Sequence, residues 1–587
     1  MTHSPQNGTK GPIGHGAFRA MDRMRQAMTS ELTGGISPIA LSLAYADWTM
    51  HLASSPGRML ELAQNAANRT GEAAMSQFNA QFVDKDTPPA VAPGPHDHRF
   101  RGAEWDKQPF RCYAEAFLLI EELVEKAARG VPGVSPHHED VVSFATRQFL
   151  DVFSPSNLPF ANPAVLKKTM ETGGQNFAKG LQNWWDDVSR AVAGRPPAGA
   201  EDYVVGRNVA ATPGRVVYRN HLMELIQYEP TTETVKEEPI LIVPAWIMKY
   251  YILDLEPQNS LVRFLVDKGH TVFVISWRNP TAEDRDLELD DYRRLGVMKA
   301  IDAIGRILPD TRIHATGYCL GGTLLSIAAA AMARQQDDRL ASVTLLAAQT
   351  DFTEPGELAL FIDHSQMEFL ESVMWSHGYL SDGQMSGAFQ LLRSNDLVWS
   401  RLVHDYMMGE RTPVNALMAW NADTTRMPFR MHSQYLRQLY LDNDLAAGRL
   451  MVDNHPVALQ NIRAPLFVVG TESDHVAPWT SVFKIHQLVD TNVTFVLTSR
   501  GHNAGIVSEP GHPGRHYRIT HKRADSPCIG HEEWLRHTDP VEGSWWAAWN
   551  DWLDTISGDE MTPPPMGAAD KGYPPLEDAP GTYVFQR

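Results

Sequence analysis

The sequence predicts an α/β fold, a parallel sheet covered on both faces, preceded by a mainly helical region. Three observations predict it. After residue 200, short continuous apolar runs such as 239–244 and 271–277 alternate with helical stretches. Strands buried on both faces read this way. Before residue 194 the chain reads as mainly helical. Between the two lies Gly194-Arg195-Pro196-Pro197-Ala198-Gly199-Ala200, the clearest boundary in the chain.

In order, residues 1–30 read as a flexible tail with some helical tendency. Residues 37–53 are strongly apolar and read as a helix, with Ser37 as N-cap and Pro38 at the first helical position. Ser55-Pro56-Gly57 breaks this run and 58–68 reads as a second helix. A helix pair this apolar needs cover, and core packing is the expectation. Residues 86–98, rich in Pro and Asp, read as a linker. Stretches 110–128 and 139–153 look amphipathic, and Asn162-Pro163 opens a helix ending near residue 192. The expected N-terminal helical domain is therefore 31–193.

The second domain is expected over 201–557. Early strands fall within 216–228, followed by a buried strand at 239–244, a helix at 260–268, a strand at 271–277, a helix at 290–308, and strands at 312–316, 341–347, 465–470 and 493–497. The interval 351–461 is too long for a crossover. It carries Trp375, Trp399 and Trp420 and reads as a cap inserted over the sheet edge. Residues 558–587, rich in Pro, Gly and Asp, read as an extended tail.

The 587 residues are 43% hydrophobic and carry a formal charge of −18, which argues against a general nucleic-acid binder. Cys112, Cys319 and Cys528 are too few and too far apart for a disulfide framework or a zinc site, so no metal is expected. Such a pattern suits a reducing compartment. Cys112, in the apolar run 110–119, reads as a small core or interface residue, and Cys528 as incidental. No run of 18 apolar residues and no signal-type N-terminus occur, so no transmembrane helix and a cytoplasmic location are expected.

Cys319 stands apart because a turn is built around it. Gly317-Tyr318-Cys319-Leu320-Gly321-Gly322 follows a strand and precedes a helical run. This is the nucleophile-elbow pattern G-x-S-x-G with Cys for Ser. A bare G-x-C-x-G is equally compatible with a buried structural cysteine. The later strand ends decide for the nucleophile. In an α/β-hydrolase fold an acid and then a histidine follow it in the chain. The strand at 465–470 runs into Thr471-Glu472-Ser473-Asp474-His475, and the strand at 493–497 into Gly501-His502-Asn503-Ala504-Gly505. Asp474 and His502 are the expected acid and base, with Glu472 and His475 as rivals. The oxyanion donors are expected to be the backbone N–H groups of Leu320 and Ile247, Trp246 being close behind. A cysteine nucleophile suits acyl transfer from a thioester.

These residues resemble the polyhydroxyalkanoate (poly-3-hydroxybutyrate) synthase family. Gly317 to Gly322 is similar to its modified lipase box. Lys249-Tyr250-Tyr251-Ile252-Leu253-Asp254-Leu255, Ser276-Trp277-Arg278-Asn279-Pro280, Asn395-Asp396-Leu397-Val398-Trp399, Trp420-Asn421-Ala422-Asp423 and Gly501-His502-Asn503-Ala504-Gly505 also match stretches typical of it. The likeness runs over about residues 97–557, and 37–62 resembles an N-terminal region of some members. Pro580-Gly581-Thr582-Tyr583-Val584 leans towards the class I single-subunit type.

The resemblance implies an α/β-hydrolase fold with a cap insertion and an acyltransferase. It implies that (R)-3-hydroxyacyl-CoA acylates Cys319, that CoA leaves, and that a 3-hydroxyl then attacks to extend a polyester. Asp474 is implied to help activate that hydroxyl. No cofactor is implied beyond the coenzyme A carried by the substrate. A homodimer on the growing polyester granule is implied. Trp420 is read either as near the site or between subunits, or as cap core. Arg393 is read as meeting a CoA phosphate or pairing with Asp396 or Asp351. One departure stands out. The chain has Pro244-Ala245-Trp246-Ile247-Met248 where many members have Pro-Pro, a small residue and Asn, so Trp246 either narrows the site or packs under it. The rival readings are a Cys-type hydrolase acting on polyesters or thioesters, and a non-catalytic granule-surface protein.

Overall fold

The computed structural model describes residues 14–33, 35–84, 86–94, 97–381, 383–384, 387 and 394–587. Its centre is an eleven-stranded sheet. In chain order the strands are β1 (Gly214–Arg219), β2 (Met223–Tyr228), β3 (Ile240–Val243), β4 (Val272–Trp277), β5 (Ile313–Tyr318), β6 (Leu340–Leu346), β7 (Leu466–Thr471), β8 (Val493–Thr498), β9 (His516–Lys522), β10 (Val541–Glu542) and β11 (Glu577–Asp578). Their spatial order is β10-β9-β8-β7-β6-β5-β3-β4-β2-β1-β11.

The six strands β3 to β8 run parallel to one another. All of their residues are buried, which is why they read as unbroken apolar runs. Antiparallel strands flank them on both sides. The sheet is therefore mixed where a parallel one was expected. Helices α8 (Leu261–Asp267), α9 (Lys299–Ile307), α10 (Leu320–Arg334) and α12 (Trp545–Ile556) bury their apolar residues in the same core as the sheet. The stretch read as a cap lies between β6 and β7. It includes α11 (His364–His377) and shorter helices such as Phe429–Tyr435.

The N-terminal region contains α1 (Gly14–Thr33), α2 (Pro38–Ala53), α3 (Pro56–Phe82), α4 (Phe110–Ala128), α5 (Pro136–Asp151), α6 (Pro163–Thr172) and α7 (Gln175–Val192). Helix α1 occupies residues that the sequence analysis gave to a flexible tail, and it lies against α11, with the Arg23 guanidinium 5.1 Å from the centre of the Trp375 ring. Ser37 does cap α2, its hydroxyl accepting from the Ala40 N–H. Core packing holds for only one face of α2. Ala44 is buried, while Ile39, Leu43 and Met50 face outwards. Cys112 is exposed, not a core residue, because α4 turns Ala114, Phe117 and Leu118 inwards instead. Helix α7 is clamped to the insertion, where the Asn176 and Asn183 amides donate to the Met407 and Asp405 carbonyls at 2.7 and 2.9 Å.

The C-terminal residues are strapped onto the sheet. Glu224 on β2 has no exposed side-chain surface. It accepts from the backbone N–H groups of Thr582 and Tyr583, each at 3.0 Å, from the Thr582 hydroxyl at 2.7 Å, and from Arg219. Gly581 has φ +78°, and a Cβ there would collide with the Glu224 carboxylate. Replacing Glu224 by leucine strands two N–H groups, while Arg219 keeps its pairing with Glu577, a cost of about 3 kcal/mol. Glu224→Leu is thus expected to lower the thermal midpoint by several degrees and to expose residues near 580 to protease. Unchanged proteolysis there would refute the strap.

Candidate active site

Strand β5 ends at Tyr318 and α10 begins at Leu320, so Cys319 alone makes the turn. Its backbone sits at φ 53° and ψ −124°, strain of about 1–3 kcal/mol for a residue with a side chain. The glycines make the turn possible. A Cβ on Gly317 would strike Gly322, one on Gly321 would strike the Val243 carbonyl, and one on Gly322 would strike Ala348. The Cys319 N–H donates to the Leu346 carbonyl at 2.9 Å, which ties the elbow to β6. The thiol stands before the N-terminus of a 15-residue helix, whose partial positive charge favours developing negative charge there.

Asp474 and His502 follow the ends of β7 and β8. His502 Nδ1 lies 2.8 Å from Asp474 Oδ2, and Cys319 is close enough to act on the charge of the ring. The Asp474 carboxylate has no exposed surface. Its Oδ1 accepts from the N–H groups of Val476 and Ala477 at 2.9 and 2.8 Å, and its Oδ2 also accepts from the Thr471 hydroxyl at 2.8 Å. Burial works against its charge, but the His502 ring and these donors hold its pKa below the ordinary value. For His502, burial opposes protonation; the Asp474 charge and then Cys319 outweigh it and hold the imidazole well above its usual pKa. The arrangement is that of a nucleophile, a base and an orienter.

The rivals fall away on geometry. Glu472 faces His516 at 3.2 Å, and His475 is half-exposed beside Glu357 at 3.5 Å. Several supporting residues were not foreseen. The Tyr318 hydroxyl donates to Asn503 Oδ1 at 2.6 Å, and its ring lies 5.7 Å from the His502 ring. Both neighbour triad members within the quoted motifs, the one signal that pointed to them. The indoles of Trp545 and Trp546 on α12 donate to the carbonyls of Gly505 and Ile506 at 3.0 and 2.9 Å, fixing the loop that carries His502.

Cys319 lines a pocket of about 30 Å³ with Ile247, Leu320, Tyr435 and Tyr440. A larger cavity of about 130 Å³ adjoins it under the insertion, sharing Ile247, Leu320, Leu358, Tyr435 and Tyr440. Ile247 and Leu320, the expected oxyanion donors, line both cavities. Trp246 does not line either pocket. It is buried, its ring 5.3 Å from Tyr292 and 6.4 Å from Tyr435, so it packs under the site and is not a substrate contact. Trp420 is also a packing residue, buried with its indole donating to the Lys249 carbonyl at 2.7 Å. Arg393 lies outside the described residues. Tyr435 and Tyr440 were not anticipated. They form a hydrogen-bonded pair at 3.1 Å between the two cavities, with burial keeping both phenols protonated. Among the described residues no cluster of His, Cys, Asp and Glu could hold a metal ion. Nor is any helix long and apolar enough to cross a membrane.

Comparison with known proteins places this geometry in a family. Residues 96–265 match the model for the poly-beta-hydroxybutyrate polymerase (PhaC) N-terminus, 16–58 that for the poly-beta-hydroxybutyrate polymerase N-terminal region, and 238–508 that for the alpha/beta hydrolase fold. The poly(3-hydroxyalkanoate) polymerase of Methylorubrum extorquens is 42% identical over 85% of this chain and 82% of its own. The polymerase subunit PhaC of Cupriavidus necator is 35% identical over 87% of each chain. Among solved structures, a monoacylglycerol lipase of Paleococcus ferrophilus covers 57% of this chain and 99% of its own, at 12% identity and a TM-score of 0.32.

Proposed function

The chain belongs to the poly(3-hydroxyalkanoate) polymerase family, and on that premise we propose that it polymerises (R)-3-hydroxyacyl-CoA through a thioester on Cys319, with release of CoA. The proton of Cys319 rests on His502 while the sulfur attacks the acyl-CoA carbonyl. The N–H groups of Leu320 and Ile247 receive the developing oxyanion. The tetrahedral intermediate then collapses, the bond to the CoA sulfur breaks, and the proton passes from His502 to the departing thiolate. In the second half, His502 takes the proton of a 3-hydroxyl whose oxygen attacks the Cys319 thioester. An ester bond forms and the protonated thiol is regenerated.

The observation that carries this reading is the single chain of contacts from Asp474 through His502 to Cys319, at the foot of an apolar cavity. A thiol is suited to it because exchange between thioesters costs little free energy. Bound CoA arrives with the substrate, so the residues named need no further cofactor. Location on the polyester granule and assembly as a homodimer belong to the same proposal, and they rest on the resemblance.

Supplying purified protein with (R)-3-hydroxybutyryl-CoA tests it. CoA release accompanied by insoluble polyester is the expected result. Stoichiometric CoA and free hydroxyacid with no polymer would instead establish a thioesterase.

A further inference from the structure

Among the described residues, the larger cavity holds one polar side chain with no hydrogen-bond partner. His432 lies on the helix Phe429–Tyr435 and is 5% exposed. Its neighbours in the cavity wall include Leu358, Met427 and Leu436. The other polar residues of the wall are committed. Gln366 accepts from the Ser37 N–H and donates to the Gly35 carbonyl, each at 2.7 Å. Gln384 accepts from Ser381, and Tyr435 donates to Tyr440. His432 Nδ1 is sealed without a partner, and no hydrogen bond engages either ring nitrogen among the described residues.

Burial lowers the pKa of this imidazole to about 4, so the ring is neutral near pH 7, with one N–H and one lone pair. A buried lone pair without a donor is better tolerated than a buried N–H without an acceptor. Nδ1 therefore carries the lone pair, and the proton sits on Nε2, the nitrogen that is not sealed. A neutral, unengaged donor in the wall of the cavity that adjoins the Cys319 pocket calls for an oxygen acceptor in the ligand.

We propose that His432 binds substrate, its Nε2–H donating to an oxygen of the acyl chain. That oxygen is either the 3-hydroxyl of a hydroxyacyl unit or the ester carbonyl of the next unit. This rests on the polymerase reading of Cys319. It gives the insertion a role in recognising oxygenated acyl chains over plain fatty acyl chains.

The test is single-turnover CoA release by the full chain, comparing His432→Leu and His432→Gln with the unaltered protein. Three thioesters serve as probes: (R)-3-hydroxybutyryl-CoA, the CoA thioester of the linear 3-hydroxybutyrate dimer, and butyryl-CoA, which has no second oxygen. His432→Leu is expected to lose about tenfold with an oxygenated probe while its rate with butyryl-CoA is unchanged. Loss with the monomer alone assigns the bond to the 3-hydroxyl, which the dimer carries esterified on its thioester unit, and loss with the dimer alone assigns it to the ester carbonyl. His432→Gln, which keeps a donor, should recover part of the rate. Equal slowing with all three probes, or no change with any, would overturn the proposal. The butyryl-CoA rate doubles as a control for folding. Failure of the unaltered protein to release CoA from (R)-3-hydroxybutyryl-CoA would strike the polymerase reading itself.

Discussion

Cys319→Ala is expected to abolish both CoA release and polyester formation, a loss of at least about 10⁴-fold. Among the described residues no other nucleophile is placed to substitute, since the Thr323 hydroxyl of the same pocket donates to the Gln349 carbonyl at 2.7 Å. The Tyr435 and Tyr440 phenols that share the pocket are kept protonated by burial, and the remaining two cysteines, Cys112 and Cys528, are exposed elsewhere. Alanine keeps the φ 53° turn with the same strain and removes only the sulfur, so the thermal midpoint should hardly move. Cys319→Ser should lose most of the activity as well. Its alkoxide is harder to form at the same base and a poorer leaving group in the second half-reaction. Free-thiol assay of released CoA and intact-mass detection of the acylated protein read both variants. Polymer accumulation by the alanine variant in cells without another synthase would sink the nucleophilic role of Cys319.

The sheet centre was legible because burial on both faces leaves an apolar run that composition alone reveals. Strand β9 was not, since His516–Lys522 is only half buried and reads His-Tyr-Arg-Ile-Thr-His-Lys. Helix α1 was read as a tail because its order comes from docking on α11, a contact far away in sequence. The candidate triad was legible for a local reason, as each member follows a strand end, and Cys319 and His502 stand among glycines that a tight turn requires. Tyr435 and Tyr440 were not, because only the docking of the insertion decides which of its residues share the Cys319 pocket, and the same docking puts His432 in the adjoining cavity. Trp246 and Trp420 show the converse. A bulky aromatic near a motif reads the same whether it lines a cavity or packs behind one, and the hydrogen bond from the Trp420 indole to the Lys249 carbonyl is what separates the two.

Asp474→Asn is expected to slow acylation of Cys319 and chain elongation by the same factor, about 10³–10⁴-fold. The reason lies in how fully the carboxylate is used. Two backbone N–H groups occupy Oδ1, while the Thr471 hydroxyl and His502 occupy Oδ2, with no surface left open. A substrate hydroxyl has no lone pair to reach, so on the proposed reading Asp474 acts in both half-reactions through His502, which it orients and whose cation it stabilises. The resemblance alone suggests direct activation of the 3-hydroxyl by the aspartate, and that mechanism predicts acylation spared and elongation lost. Rapid-quench measurement of acyl-enzyme and polymer in one time course separates the two. The pH dependence gives an independent reading. His502 is raised by Asp474, so its share of stability is complete below its unfolded pKa near 6.5 and fades as pH climbs through the higher folded value. Asp474 is lowered, so its share is complete above about 4 and fades as pH drops through the lower folded value. Between those limits the pair stabilises the fold. In Asp474→Asn the imidazole resonance should titrate at a lower pH than in the parent, and the stability excess around neutrality should shrink. An unshifted His502 titration would mean that the 2.8 Å contact carries no charge coupling, and the shared slowing of both half-reactions would lose its cause.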